Sequence, residues 1–381
     1  GITDIDPIKH GLLFERFLNV ERATMPDIDI DFPDDRRDEV IRYVGKKYGK
    51  ERVAHIVTFG CFASRSAIRD SSKVLKLSDV RLKEILKCIN KDPYTPLKQI
   101  YEQSEKLQEL CSKYPDIDQV VKVAMKIEGL PRNTSTHAAG IIMTKEDLVT
   151  YTPLDEGLND IYQTQYEAVD LEKLGLLKND FLGLRNLTNI KNCLDSIKKE
   201  NPNFVMPKDY NDPKTFKMIA SGETTGVFQL ESAGMRKVLR DLKVSSFDDI
   251  TSAIALYRPG PMDIIPTFIK RKFKEEIVTY PHPDLEPILK NTYGTIVYQD
   301  QIMLIAWRFA GYSLGQADIL RRAVSKKKKE ILEAERINFV SSSVKKGYTK
   351  ETAEEIYDYI VKFANYGFNK AHSVAYAVVA Y

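Results

Sequence analysis

The segment Asp27-Ile28-Asp29-Ile30-Asp31-Phe32 constrains this chain most. Acids alternate with apolar residues at the two-residue period of a half-buried strand, so the three carboxylates share one face. With a rise of about 3.3 Å per residue, neighbouring acids on that face stand about 7 Å apart. Asp is poorly suited to strands, and bare carboxylates in a row repel one another. A divalent cation between two of them removes the conflict, and hard ions such as Mg2+ prefer carboxylate oxygen. The competing reading is a solvated strand face, with the acids outside and Ile28, Ile30 and Phe32 inside.

Asp180 bears on that choice. It interrupts an apolar run, with Leu176-Leu177 before it and Phe181-Leu182 after it. An unpaired carboxylate there costs several kcal/mol. Either a cation meets it or the run has an exposed edge, and Lys178, two residues away on the same strand face, offers a plain ion pair instead. Two carboxylates from one strand and a third from another are what a two-metal site needs, with ions about 3.5–4 Å apart. Other chemistries find less support. No GxxxxGK[ST] phosphate loop occurs. The histidines at 10, 55, 137, 282 and 372 form no metal-type pair or triad. His137, within Ser135-Thr136-His137-Ala138-Ala139-Gly140, reads as a structural hydrogen-bonding residue rather than a base.

The pattern predicts an α/β segment over residues 1–60, with a helix starting at Pro33 or Asp34 and stopping at Gly49. Residues 61–136 read as helical, with Asp118 as the cap of a helix lined by Val120, Val121, Ala124, Met125 and Ile127. Residues 137–185 return to short apolar runs, strands of the first domain resumed after an insertion. From 186 to 381 the chain is predominantly helical. The length accommodates two or three domains, and 43% hydrophobic with 29% charged residues is the balance of a globular protein. Four cysteines without a close pair fit free thiols in a reducing cytoplasm, and no apolar stretch reaches membrane-spanning length. The opening Gly1 and the apolar run at residues 374–381 lead us to expect a piece of a larger protein.

Net charge, +3 from 57 basic and 54 acidic residues, is too small to imply a nucleic-acid partner, so charge distribution must carry that argument. Residues 321–329 hold six cations: Arg321, Arg322, Lys326, Lys327, Lys328 and Lys329. Such a run suits the phosphates of a duplex or a triphosphate, or else it is a solvated helix end. Tyr366-Gly367-Phe368-Asn369-Lys370-Ala371-His372-Ser373 combines rings that stack on bases with a cation for phosphate. A junction between helices, capped by Gly367, explains the same segment.

Taken in order, several segments resemble the alpha subunit of bacterial DNA polymerase III, the C-family replicative polymerases. They are Leu13-Phe14-Glu15-Arg16-Phe17-Leu18-Asn19, Met25-Pro26-Asp27-Ile28-Asp29-Ile30-Asp31-Phe32, Thr58-Phe59-Gly60, Lys178-Asn179-Asp180-Phe181-Leu182-Gly183-Leu184-Arg185, Val227-Phe228-Gln229-Leu230-Glu231-Ser232, Arg258-Pro259-Gly260-Pro261 and Gly367-Phe368-Asn369-Lys370-Ala371-His372-Ser373. Residues 130–140 are closer to the DnaE-like than to the PolC-like branch.

The resemblance implies an α+β multidomain fold: a polymerase-beta-like nucleotidyltransferase palm (1–60 and 137–185), an inserted helical thumb (61–136) and helical fingers (186–381). It implies template-directed DNA synthesis from dNTP and primer–template DNA with two Mg2+ ions on Asp29, Asp31 and Asp180, with Asp27 an outer acid. Lys178, Arg321, Arg322, Lys326, Asn369 and His372 would meet the nucleotide, His372 near its sugar, and Lys327, Lys328 and Lys370 would meet DNA. The family's PHP domain, early Gly–Ser phosphate loop, remaining fingers, clamp-binding segment and OB domain have no counterpart in these 381 residues. Sliding-clamp and replisome contacts are therefore expected outside them. A metal-dependent nuclease or phosphohydrolase would share the acids but need no nucleotide. A non-enzymatic DNA-binding module would show steep salt dependence and no Mg2+-dependent activity.

Overall fold

A computed structural model describes residues 5–21, 25–89, 92, 95–326, 329–363 and 366–381, without the side chains of 325, 326, 329 and 330. The chain divides into two compact units, residues 27–184 and residues 1–26 with 185–381. The fold is mixed α+β.

The 27–184 unit contains β1 (Ile28–Pro33), α1 (Arg37–Tyr48), β2 (Val53–Cys61) and helices α2 (Ser64–Val74), α3 (Asp79–Cys88), α4 (Leu97–Gln103), α5 (Glu105–Lys113) and α6 (Pro115–Ile127). It then contains β3 (Pro131–Met143), β4 (Leu154–Glu156), β5 (Tyr162–Thr164), α7 (Ala168–Lys173) and β6 (Lys178–Leu184). The strands form one mixed sheet in the order β1-β6-β3-β2-β5-β4. β1 is the strand that the alternation predicts, and β6 contains the interrupted apolar run. β3 and β6 return to the sheet after the helical insertion, but β3 begins at Pro131, so residues 131–136, expected as helical, are strand paired with β2.

Helix α1 begins later than expected because a turn, closed by Arg36 N–H to the Pro33 carbonyl, intervenes. It ends at Gly49, whose φ of 103° is a conformation that favours glycine. Ile41 and Val44 of α1 pack with Val53, Ile141, Ile161 and Phe181 in one apolar core. Gly45 permits that approach, since a Cβ there would stand 2.6 Å from Ile161 Cγ2. A second core holds Ala54, Ile56, Ile142, Leu148, Leu171 and Leu176. The helical insertion has its own core, including Ala67, Ile68, Ile117, Val120, Val121 and Ala124. Asp118 does not cap α6. Pro115 takes the first helical position, where its missing N–H costs nothing, and this moves the cap from Asp118 to Tyr114, four residues earlier. Asp118 then lies in the first turn, 2.7 Å from Lys122 Nζ.

The other unit contains α8 (Arg185–Glu200), α9 (Pro213–Ser221), α10 (Ala233–Leu242), α11 (Phe247–Leu256), α12 (Ile265–Lys272), α13 (Glu286–Leu289), α14 (Gln299–Ala310), α15 (Leu314–Lys326), α16 (Lys329–Lys345), α17 (Lys350–Phe363) and α18 (Lys370–Ala380). The predicted first segment, 1–60, is divided: residues up to 26 group with these helices. Leu13 packs on the core that includes Phe309, Leu320 and Tyr357, and Arg16 Nε donates to Gln299 Oε1 at 2.8 Å. The apolar run at 374–381 is covered within this unit, with Val374, Ala377 and Ala380 buried. Among the described residues no helix is long and apolar enough to cross a membrane.

Ile41 is fully buried between α1 and the sheet. Ile41→Ala is expected to cost about 2–5 kcal/mol in urea unfolding, from lost burial and the cavity left behind. A loss below about 1 kcal/mol, the scale of removing one methyl group, would contradict this packing.

Candidate active site

β1 and β6 run parallel, with Asp29 opposite Asp180 and Asp31 opposite Leu182. On its other edge β6 pairs antiparallel with β3, and Gly140 stands opposite Asp180. Residues in register share a face, so Asp29, Asp180 and Gly140 form a row across three strands. One carboxylate oxygen from each of Asp27, Asp29 and Asp180 lies within 4.8 Å of the others. Asp31 is outside this group, on the same face of β1 but one position further along. Asp27, expected as an outer acid, is inside it. Asp27 precedes the first residue of β1, so the pleat does not hold it at strand spacing.

The Asp180 side chain is 14% exposed, and its Oδ2 lies 2.8 Å from Lys178 Nζ. Its Oδ1 is buried with no hydrogen-bond partner among the described residues. The Lys–Asp pair that the sequence allows is thus present, and it leaves one buried carboxylate oxygen unmatched. Partial burial pushes the Asp29 carboxyl above its ordinary value, and the charges of Asp27 and Asp180 push it further; Lys178 opposes this and Asp31 adds to it. A hard divalent cation fits this donor set. Every contributing atom is a carboxylate oxygen, the three acids outnumber the Lys178 ammonium beside them, and a buried oxygen lacks a partner among the described residues.

His137 borders the same row. Its Nδ1 accepts the backbone N–H groups of Ala139 at 3.1 Å and Gly140 at 2.7 Å. Two donors at Nδ1 require the neutral ring with its proton on Nε2, a tautomer assigned from the hydrogen-bond network. Burial first, and the Lys178 charge second, lower its pKa, against the opposing effect of Asp180. This is the structural, hydrogen-bonding histidine that the sequence predicts.

In the helical unit, two of the cations expected to meet nucleotide or DNA, Arg321 and Lys370, have partners of their own. Arg321 is 7% exposed, and its Nε and Nη2 both lie 2.8 Å from Asp318 Oδ1. Arg322 is half-buried on the same helix. Lys326 closes α15, and Lys327 and Lys328 lie outside the described residues. Asn369 is the N-cap of α18, its Oδ1 accepting from Ala371 and His372 at 3.0 and 3.4 Å. Lys370 Nζ donates to the His10 carbonyl at 2.8 Å, and its backbone N–H donates to Asp300 Oδ2 at 3.1 Å. The His372 ring lies 3.9 Å from that of Tyr376. Sequence reasoning missed Arg258, which donates to the Tyr366 carbonyl and stacks 4.8 Å over Phe368. It joins the Arg258-Pro259-Gly260-Pro261 turn to the Tyr366-Gly367-Phe368 segment. Two signals were readable: an Asn just ahead of a helical run marks a cap, and Asp318 and Arg321 have the three-residue spacing of a helical pair.

Because the Asp29 pKa is raised, its charge works against the fold when no cation is bound. Its contribution is most favourable below the ordinary value of 3.8 and is lost as pH rises through the raised one. Near pH 7 in EDTA, Asp29→Asn is therefore expected to melt no lower than the wild type. Millimolar Mg2+ should raise the melting temperature of the wild type but not of Asp29→Asn or Asp180→Asn. That rise should shrink as pH falls into the carboxylate range. An equal Mg2+-induced rise in Asp180→Asn would contradict the site.

Two family models match the chain: the bacterial DNA polymerase III alpha NTPase domain over residues 1–183, and the bacterial DNA polymerase III alpha subunit finger domain over residues 186–347. Similar curated proteins include the DNA polymerase III subunit alpha of Bacillus subtilis, 56% identical over 380 residues, covering 99% of this chain and 34% of that protein. That of Halalkalibacterium halodurans is 52% identical over 382 residues, covering 100% and 34%. That of Staphylococcus epidermidis is 49% identical over 383 residues, covering 100% and 36%. The chain spans about a third of the length of these relatives. It belongs to the family of bacterial DNA polymerase III alpha subunits.

Proposed function

We propose that this chain carries the nucleotidyl-transfer centre of a DNA polymerase. The observation that carries this reading is the meeting of Asp27, Asp29 and Asp180, with a buried, unmatched oxygen on Asp180. Membership of a family whose relatives are named DNA polymerase III subunit alpha supplies the reaction class.

In this reading Asp29 and Asp180 hold Mg2+, two ions in all, with Asp27 and Asp31 extending the donor face on either side of Asp29. Bound there, Mg2+ would favour loss of the primer 3′-hydroxyl proton and neutralise charge on the triphosphate. The 3′-oxygen forms a bond to the α-phosphorus of a dNTP, the bond to the bridging oxygen breaks, and pyrophosphate leaves. The acids fix where that chemistry happens. Lys178 places a compact positive charge beside it, suited to a phosphate oxygen. Asn369 and Lys370, the cap and first residue of α18, set the position of His372, the residue read as sensing the nucleotide sugar. Arg322 and the cations at 326–328 supply charge for the triphosphate and the DNA backbone. The sheet is then the palm, helices α2–α6 the thumb and residues 185–381 the fingers. Sliding-clamp and replisome contacts belong to parts of the longer protein outside this chain, which would act in the bacterial cytoplasm.

Single-nucleotide primer extension with Mg2+ tests the reading. Asp29→Asn and Asp180→Asn are each expected to lower extension at least about 100-fold, as loss of transition-state charge stabilisation does. Primer–template affinity should stay largely unchanged. Extension retained in either variant would remove that acid from the site, and Mg2+-dependent cleavage of DNA without dNTP would identify a nuclease instead.

A further inference from the structure

The pairing of β3 with β6 runs from Ile142–Lys178 to Gly140–Asp180 and stops there. Beyond it β3 bulges. Its register against β2 steps from His55–Ile141 to Val57–Thr136, so residues 137–140 stand against the single residue Ile56. A bulge of this kind takes backbone groups out of the ladder and re-aims the strand. Two side chains meet three of those groups and one carbonyl of β6. His137 Nδ1 accepts the amides of Ala139 and Gly140. Arg37, the first residue of α1, donates from Nε to the Phe181 carbonyl at 2.6 Å and from Nη2 to the Ala138 carbonyl. Phe181 follows Asp180 directly, so Arg37 bridges β6 and β3 where their own hydrogen bonds end. Gly140 makes room for this arrangement: a Cβ there would stand 2.9 Å from Ile56 Cδ1 and 3.0 Å from His137 Nδ1.

We propose that His137 and Arg37 are positioning residues that lock the β3 bulge against β6 and thereby set where the Asp180 carboxylate stands opposite Asp29. The inference rests on the reading of the acid cluster as a cation site. Neither residue acts on substrate in this account; each acts through the backbone on either side of Asp180. Groups that orient metal-binding side chains in this way commonly change metal affinity or activity about 10–100-fold when removed. The chemistry at residue 137 is specific. Asn carries an acceptor oxygen on Cγ, as His carries Nδ1, whereas the Gln acceptor is one bond further out. Lys in place of Arg37 keeps the charge but loses the planar fork that reaches two carbonyls.

The test uses the whole chain, with Mn2+ as the probe, titrated against wild type and variants by the paramagnetic signal of the free ion. Amide hydrogen exchange at residues 139 and 140 is read in parallel. His137→Ala, His137→Gln and Arg37→Lys are expected to weaken Mn2+ binding about 10–100-fold. Both His137→Ala and His137→Gln should speed exchange at the two amides, while His137→Asn keeps wild-type affinity and slow exchange. Should His137→Ala fail to fold, the Asn and Gln pair decides. Equal Mn2+ affinity in His137→Gln and His137→Asn, or wild-type affinity in His137→Ala, would overturn the proposal. A wild type that binds Mn2+ no better than Asp180→Asn would instead remove the cation reading, and the two amides would still report whether His137 holds the bulge.

Discussion

The parallel pairing of β1 with β6 is the constraint on which the candidate site depends. It sets Asp29 beside Asp180 although the whole helical insertion and four further strands lie between them in sequence. Parallel neighbours cannot be joined by a tight turn, so long connections follow from this pairing. It also brings like charges together: burial first, and then the charges of Asp27 and Asp180, raise the Asp29 pKa. Apolar burial on both faces of the sheet offsets this repulsion, through Ile41, Ile141 and Phe181 in one core and Ile56, Ile142 and Leu176 in the other. Locally unfavourable choices held in place by a well-packed surround are the usual mark of a functional site.

Beside that row the sheet does not simply continue. The ladder between β3 and β6 ends at Asp180, and side chains from a bulge and from a helix take over its hydrogen bonds. Buried backbone groups must find partners, so opening a sheet at one point demands substitutes nearby. In the helical unit, charge likewise serves the fold. Asp249 accepts from Ser245 and Ser246 at the start of α11 and from Lys272 at 2.7 Å, while Arg321 closes on Asp318. A buried ion pair of this kind is costly to break because it leaves a lone charge behind. A count of cations along the chain therefore overstates how many are available to phosphate.

Much of the fold was legible, because period and punctuation are local. The alternation at 27–32 marked β1, Gly49 marked the end of α1, and the helical character of the insertion and of residues 186–381 followed from composition and spacing. Asp180 stood out as a carboxylate in an apolar run. The meeting of β1 with β6 was not legible, since strand order depends on contacts distant in sequence. For the same reason the grouping of Asp27, rather than Asp31, with Asp29 and Asp180 could not be read: strand periodicity treats the two alike, and only the start of β1 at Ile28 separates them. Pro115 outweighed Asp118 as the helix-start signal. The grouping of residues up to 26 with the helices rests on Leu13 and Arg16 finding partners nearly 300 positions away. The Arg37 bridge belongs to the same class, since no spacing rule connects it to Ala138 and Phe181.

The most direct measurement of the central claim is anomalous diffraction from crystals of the chain grown with Mn2+. The account predicts a peak at about 2.1 Å, the usual distance for a small hard cation, from carboxylate oxygens of Asp29 and Asp180, with Asp180 Oδ1 no longer unmatched. A clear map with no peak at these acids, and Lys178 still closed on Asp180, would contradict it.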